Sequence, residues 1–416
     1  MKHLVWLKDD LRLHDSQAVL AAARAVGAEN LVFIRSDERE FTHVPPTPRR
    51  IEREVDAIAE VRAVLERSGT TLHLTRGQAE DIVRTCRDHG ATTVHANMQI
   101  GDELGYHRDR QAGALMREAG IAYVEYAVDG LVRGSGQRAD PLVTGARDVP
   151  GLRFTSVPQA MQRLRDYLER LPRAGYRRDM WIPGPDATAS SRLSVDLACG
   201  TITGDRVLHE IERAADADDP RNHHAYRQFA NRIHWRRGFL QTLERNVDAF
   251  PWGPVRQERP EDAERMRRWR HGETGYPLVD AAMRQLAAEG WINFRLRQVV
   301  CSFAIDLLDL DLHRVGVELG RMFDDYSPGI HWSQIAMQSG MVPGQGPRVV
   351  NPVKQARDLD PKGAYVIRML PHMSGISADD LFMPWQNASY AGPPPMIEHM
   401  EAGRAARARH PSVRKD

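Results

Sequence analysis

The chain has 416 residues, more than the roughly 100–200 of one ordinary domain, so two domains with a sizeable buried core are expected. It is 42% apolar and 27% charged, and no apolar run approaches the roughly 18–20 residues of a membrane helix, which excludes a disordered chain, a disulfide-stapled miniprotein and a membrane span. With 57 basic against 56 acidic residues the net charge is +1, so nucleic acid cannot be held by bulk charge and any such contact must be a local basic patch.

The start, Met1 to Leu7, meets Lys8 and Asp9 before a signal-peptide core can form, which predicts a cytoplasmic protein. Short β-rich runs at 4–7, 31–34, 71–74, 93–96 and 122–125 alternate with helical patterns at 18–25, 51–66, 79–89 and 106–119. That alternation predicts a doubly wound parallel sheet with crossover helices over residues 1–130. From 129 to 185 the chain is rich in Gly, Pro and Arg, with one helical stretch at 157–171, and 131–175 is assigned as the interdomain linker. Beyond Leu193 helical stripes occupy 225–245 and 278–288, and apolar residues at 296, 299, 300, 303, 304, 307 and 308 form another. Residues 176–416 are therefore expected to be all-helical, giving an α/β plus all-α chain. Cys86, Cys199 and Cys301 supply neither a disulfide framework nor the four thiolates of an iron–sulfur cluster.

Several segments could carry chemistry. Gly134-Ser135-Gly136-Gln137-Arg138-Ala139 has the letters of a dinucleotide fingerprint, but Pro141 follows and no helix opens there, so it is set aside. His223, His224 and His234 lack an ordered carboxylate or thiol set, and no metal site is assigned. Ser190, Ser191, Arg192, Leu193 and Ser194 precede a helical run, where hydroxyls and free N–H groups suit a phosphate; a plain Ser N-cap is the alternative. The stretch 221–245 carries six arginines against Glu244, with Phe229, Arg232, Ile233 and Arg236 on one face and Trp235 nearby. It reads either as a solvated basic helix or as a surface for phosphate contact and stacking against a flat ring. In the last stripe Arg295, Gln298 and Ser302 fall on the polar side, toward solvent, cofactor or substrate. Residues 323–332 read as a loop that gathers Asp324, Asp325, His331 and Trp332.

Taken together these segments resemble the photolyase/cryptochrome family. The resemblance rests on Trp6-Leu7-Lys8-Asp9-Asp10-Leu11-Arg12, on Thr274-Gly275-Tyr276-Pro277-Leu278-Val279-Asp280-Ala281-Ala282-Met283-Arg284-Gln285-Leu286, on Asn293-Phe294-Arg295-Leu296-Arg297 and on Arg348-Val349-Val350-Asn351-Pro352. It covers nearly the whole chain and is most like a short bacterial pyrimidine-dimer photolyase. It implies FAD in the helical domain, with Tyr176 and Ser190 to Ser194 at the pyrophosphate, an Arg297–Asp325 pair beside the flavin ring, His331 facing flavin N5, and Phe229, Arg236 and Ser327 lining the cofactor. The implied activity is light-driven splitting of cyclobutane pyrimidine dimers by electron transfer from reduced FAD, on UV-damaged DNA, by a monomer. Arg227, Arg232, Arg237 and Arg348 would contact phosphates.

The chain also departs from the family pattern. A substrate-contacting Glu aligns with Arg232, the Asn near the lesion with Phe294 or Asn293, and the Met of the pocket with Gln298. The usual tryptophan relay positions carry Arg259, Leu312 and a residue near Ile335, leaving Trp332, Trp235, Trp291 and Trp269 as substitutes, and three cysteines cannot hold the iron–sulfur cluster of one family branch. Rival readings are a cryptochrome-type blue-light photoreceptor, repair of six-four photoproducts, and a nucleotide-binding adaptor without light chemistry. A second, antenna chromophore is left open, with Asn97 to Arg108 near the place where the family binds a folate.

Overall fold

The computed structural model describes residues 1–133, 149–152, 158–172, 181–183, 190–246, 255–342, 346–377, 380–388, 390 and 392–409; Tyr176 and the 134–139 segment lie outside them. Five strands, β1 (Lys2–Leu7), β2 (Leu31–Ser36), β3 (Leu72–Thr75), β4 (Ala91–Asn97) and β5 (Ala122–Tyr126), form one parallel sheet in the order β3-β2-β1-β4-β5. Side chains alternate across a strand, so Leu4 and Trp6 join a core with Ile34, Ile82, Val94 and Met116, while Val5 and Leu7 join one with Val19, Phe33, Val61 and Leu65 on the other face. Burial on both faces is why these strands read as continuous apolar runs.

The crossover helices are α1 (Gln17–Val26), α2 (Pro48–Arg67), α3 (Ala79–Asp88) and α4 (Glu103–Glu118). The Ser16 hydroxyl accepts the Val19 N–H and the Thr47 hydroxyl the Arg50 N–H, with Pro48 at the first position of α2, so local capping starts both where tertiary packing needs them. Then come α5 (Gln159–Arg170), α6 (Ser194–Ala198), α7 (Gly204–Asp216), α8 (His223–Arg245), α9 (Asp262–Arg270), α10 (Pro277–Glu289), α11 (Phe294–Ser302), α12 (Leu312–Gly320), α13 (Pro328–Gln338), α14 (Pro352–Leu359), α15 (Ala364–Met369) and α16 (His399–Arg409). No described helix is long and apolar enough to cross a membrane.

Two compact units result. The first comprises Met1–Arg173, Ser191–Asp248 and Asp325–Ile330; the second comprises Ala174–Ser190, Ala249–Asp324 and His331–Asp416. The helices α6, α7 and α8 thus group with the sheet.

Two sequence expectations in the helical part are corrected. Residues 323–332 are not all loop: Pro328 opens α13, so His331 and Trp332 lie on a helix, proline's fixed φ and missing N–H being suited to a first turn. The 296–308 stripe is not one helix either. After Ser302 the backbone widens into a π-helical turn, Phe303–Leu307, closed by the Leu308 N–H on the Phe303 carbonyl at 2.9 Å. The Ser302 hydroxyl, expected on the polar side, turns inward to donate to Asp306 at 2.6 Å and accept the Val350 N–H at 3.0 Å.

The signature segment before α10 has a physical reason. Asp280 sits in the first turn of α10 and its carboxylate accepts the Thr274 N–H (2.8 Å), the Thr274 hydroxyl (2.6 Å) and the Gly275 N–H (3.0 Å). Gly275 has φ +81°, and a Cβ there would meet the backbone of Pro394 and Pro395, so glycine is required. Burial nonetheless pushes the Asp280 carboxyl up to about 6.

Candidate functional site

In the first unit the Ser191–Ser194 turn is built and braced locally. The Ser191 hydroxyl accepts the Leu193 N–H at 3.4 Å, and Arg192 adopts a left-handed backbone with φ +49°. Leu193, buried, is the N-cap of α6 and offers no side-chain cap, so the Ser N-cap reading does not hold. Ser194 is instead the first helical residue, and its Oγ is buried with no hydrogen-bond partner. A hydroxyl rarely stays so unless a ligand or water completes it. The turn is held from behind: Arg163 pairs with Asp196 of α6, donating from Nε at 3.0 Å, and Arg236 of α8 donates to the Leu197 carbonyl at 3.1 Å and to Asp129 at 2.6 Å. Asp129 also accepts the Asp205 N–H at the start of α7. Arg236 is therefore a bracing residue for the turn.

Along α8 the arginines divide. Arg227 is exposed, and Arg232 lays its guanidinium over the Trp235 ring at 4.6 Å, with Trp235 57% exposed. Arg237 does not belong with the phosphate contacts: it is 4% exposed and turns inward to pair with Asp205. Phe229 is core, its ring edge-on to Tyr167 at 5.0 Å. Asp325, in the first unit, is buried, and Ser327 lines a small cavity of that unit.

In the second unit Asn293 is the N-cap of α11. Its Oδ1 accepts the Leu296 N–H at 2.9 Å and its Nδ2 donates to the Ile182 carbonyl at 3.0 Å, so each end of the amide makes a structural hydrogen bond. Gln298 accepts from Arg295 at 2.6 Å, and the Arg295 guanidinium lies 3.9 Å from the centre of the Trp181 ring, which also meets Phe294 edge-on. Sequence reading missed Trp181; its one signal was an indole in a Gly-, Pro- and Arg-rich stretch. Arg297 donates to the Ile292 carbonyl at 3.0 Å and stacks on Phe323 at 4.0 Å. His331 donates from Nε2 to the Gly316 carbonyl at 2.8 Å, and Trp332 packs edge-on against it with 1% exposure. Arg348 is exposed. Among the described residues no three His, Cys, Asp or Glu side chains gather as a metal site.

Comparison with known proteins decides the family. Residues 3–133 match the DNA photolyase family and residues 222–411 match the FAD binding domain of DNA photolyase. The chain is 29% identical to a deoxyribodipyrimidine photo-lyase of Streptomyces griseus, with 98% of each chain covered, and 26% identical to a cryptochrome DASH of Gloeobacter violaceus, with 92% of this chain and 88% of that one covered. The chain belongs to the photolyase/cryptochrome family. Its fold agrees: a cryptochrome from Synechocystis superposes with a TM-score of 0.83 at 21% identity over 98% of both chains, and a class III photolyase from Agrobacterium tumefaciens with 0.78 at 24% over 98% and 96%. This photolyase/cryptochrome chain carries an FAD-binding domain. The residues present fit the cofactor: the buried Ser194 Oγ at the start of α6 has no hydrogen-bond partner, so a polar group is left there for a ligand to complete.

Proposed function

We propose that the protein is a light-driven DNA repair enzyme, a deoxyribodipyrimidine photolyase that splits cyclobutane pyrimidine dimers. The observation that carries this reading is the pairing on α8 of Arg232 with the exposed Trp235, a cation and a flat ring presented together, in a chain whose full-length relatives include deoxyribodipyrimidine photo-lyases. Reduced FAD, when bound and excited by light, supplies the electron that opens the dimer.

The chain's own residues do the rest. Ser191, Arg192 and Ser194 hold the pyrophosphate, braced by Arg236 and Arg163. By the family resemblance Arg297 and Asp325 set the charge beside the flavin ring, and His331, held through Nε2 on the Gly316 carbonyl, is the residue facing it. Trp235 stacks on an extruded pyrimidine, whose damaged pair is easier to unstack than an intact one. Arg232 holds a pyrimidine carbonyl or the adjoining phosphate through its planar fork. Arg227 and Arg348, both exposed, contact phosphates and make binding depend on salt.

Blue light on dimer-containing oligonucleotide, single- and double-stranded, with the flavin fully reduced, should restore intact pyrimidines, and no splitting in either substrate overturns the repair reading. A photoreceptor reading then takes its place, supported by the 26% identity to a cryptochrome DASH. Arg232→Ala separates the two roles of that residue. A lost phosphate contact weakens damaged and undamaged DNA alike and lowers the salt slope by about one, whereas a lost pyrimidine contact lowers repair at saturating DNA with undamaged binding intact.

A further inference from the structure

In an open doubly wound sheet the place for a planar ligand is the crevice beyond the carboxyl ends of the strands, where the strand order reverses. Here that place lies between β1 and β4, and it is lined by Lys8, Asp9 and Asp10 after β1 and by Met98, Gln99 and Ile100 after β4. The chain's own side chains fill it. Lys8, 1% exposed, donates to Asp109 at 2.6 Å and lies 3.5 Å from Glu125. Arg108, 3% exposed, grips Glu38 with both terminal nitrogens at 3.0 and 2.9 Å, donates to the Gln99 side-chain oxygen Oε1 at 3.0 Å and to Asp109 at 2.7 Å. Its guanidinium is layered between the rings of Trp6, at 4.9 Å, and Phe41, at 4.5 Å, the kind of stacking surface a planar ligand would use. The Gln99 amide donates in turn to Asp9 at 2.6 Å and Glu38 at 3.0 Å, and the Asn97 amide to Asp10 at 2.6 Å.

Two small cavities, of about 100 and 60 Å³, border the crevice. Sites for ligands of chromophore size run to about 300–1,000 Å³. Enlarging the space by swinging Arg108 aside would strand the buried Glu38 carboxylate, and breaking a buried pair from one side is strongly destabilising. Burial and Glu38 already push the neighbouring Asp9 carboxyl up to about 6, so the chamber resists further negative charge.

We propose that the switch-point crevice of this chain is closed by its own ion network around Arg108 and Glu38, so that the protein carries no second, light-gathering chromophore and absorbs through flavin alone. The proposal rests on the flavin reading above. Holoprotein is denatured and the released chromophores are separated and quantified, and native holoprotein is titrated with FMN and with methenyltetrahydrofolate, followed by fluorescence anisotropy and by energy transfer to the flavin. The expected result is one released chromophore, FAD, an absorption spectrum that bound flavin accounts for in full, and no saturable binding of either probe. A second released chromophore near one per chain, or saturable binding of either probe at that ratio, overturns the proposal. Absence of FAD from the released material would overturn the flavin reading instead, so the two failures are distinguishable.

Discussion

Trp332 on α13 occupies the space that a side chain on Gly316 of α12 would need. The indole is 1% exposed, and the Gly316 carbonyl also accepts the His331 ring N–H, so one glycine seats both residues. Gly316→Ala should cost about 1–3 kcal/mol, the range for overpacking a filled core. Urea unfolding should show a lower midpoint with an unchanged slope, and Trp332→Phe in the same background should return part of the loss. An unchanged midpoint for Gly316→Ala would show that the two residues are not in contact.

Asp280 should give the stability curve a distinct slope in acid. Its carboxyl is pushed up to about 6, above the usual carboxylate range, so between about pH 4 and 6 the folded state keeps a proton that the unfolded chain has released. Stability contributed by this group therefore falls as pH rises through that window. Asp280→Asn removes the titration and leaves one of the two backbone N–H groups of Thr274 and Gly275 without its acceptor, a cost of about 1–3 kcal/mol. Thermal midpoints from pH 4 to 7 should show the deficit of the variant shrinking with pH; a constant deficit would contradict the assignment.

The opposite sign is expected from the histidine pair of the sheet. His95 Nδ1 lies 2.8 Å from the Tyr126 hydroxyl and His95 Nε2 lies 2.9 Å from His3 Nδ1, so the two rings share a buried hydrogen-bonded chain. Burial, with His3 alongside, brings the His95 imidazole down to about 4, and burial lowers His3 as well. Between about pH 6.5 and 4 the unfolded chain binds protons that the folded one refuses, and stability drops as pH falls through that range. His95→Gln should flatten this part of the curve in a thermal series, and an equally steep acid loss in the variant would place its origin elsewhere.

Ser194→Asp should release flavin. The buried Oγ would be replaced by a carboxylate directed at a phosphate, and like charges in a partly desolvated site repel strongly. The ratio of flavin to protein absorbance should fall at least tenfold, while the α/β unit, which does not depend on this hydroxyl, keeps its circular dichroism. Full flavin content in Ser194→Asp would remove this turn from the cofactor site.

Periodicity alone was enough for the five strands, their crossover helices and the helical second half, because burial on one or both faces writes itself into side-chain order. The resemblance of the segments around Asp280 and Arg297 likewise pointed to the family. Partner choice was not legible in that way. Arg227 and Arg237 look alike in the sequence, yet one is exposed and the other turns to Asp205, since the helix's packed neighbour decides which cation is enclosed. Nor does the sequence show that the Asn293 amide donates to Ile182, 111 residues away. Trp332 read as part of a loop until Pro328 was seen to open a helix and Gly316 to make room for the indole. The closure of the strand-end crevice depends on Glu38, just after β2, and Arg108, on α4, meeting across 70 residues, a pairing that only the folded sheet and its crossover helix bring about.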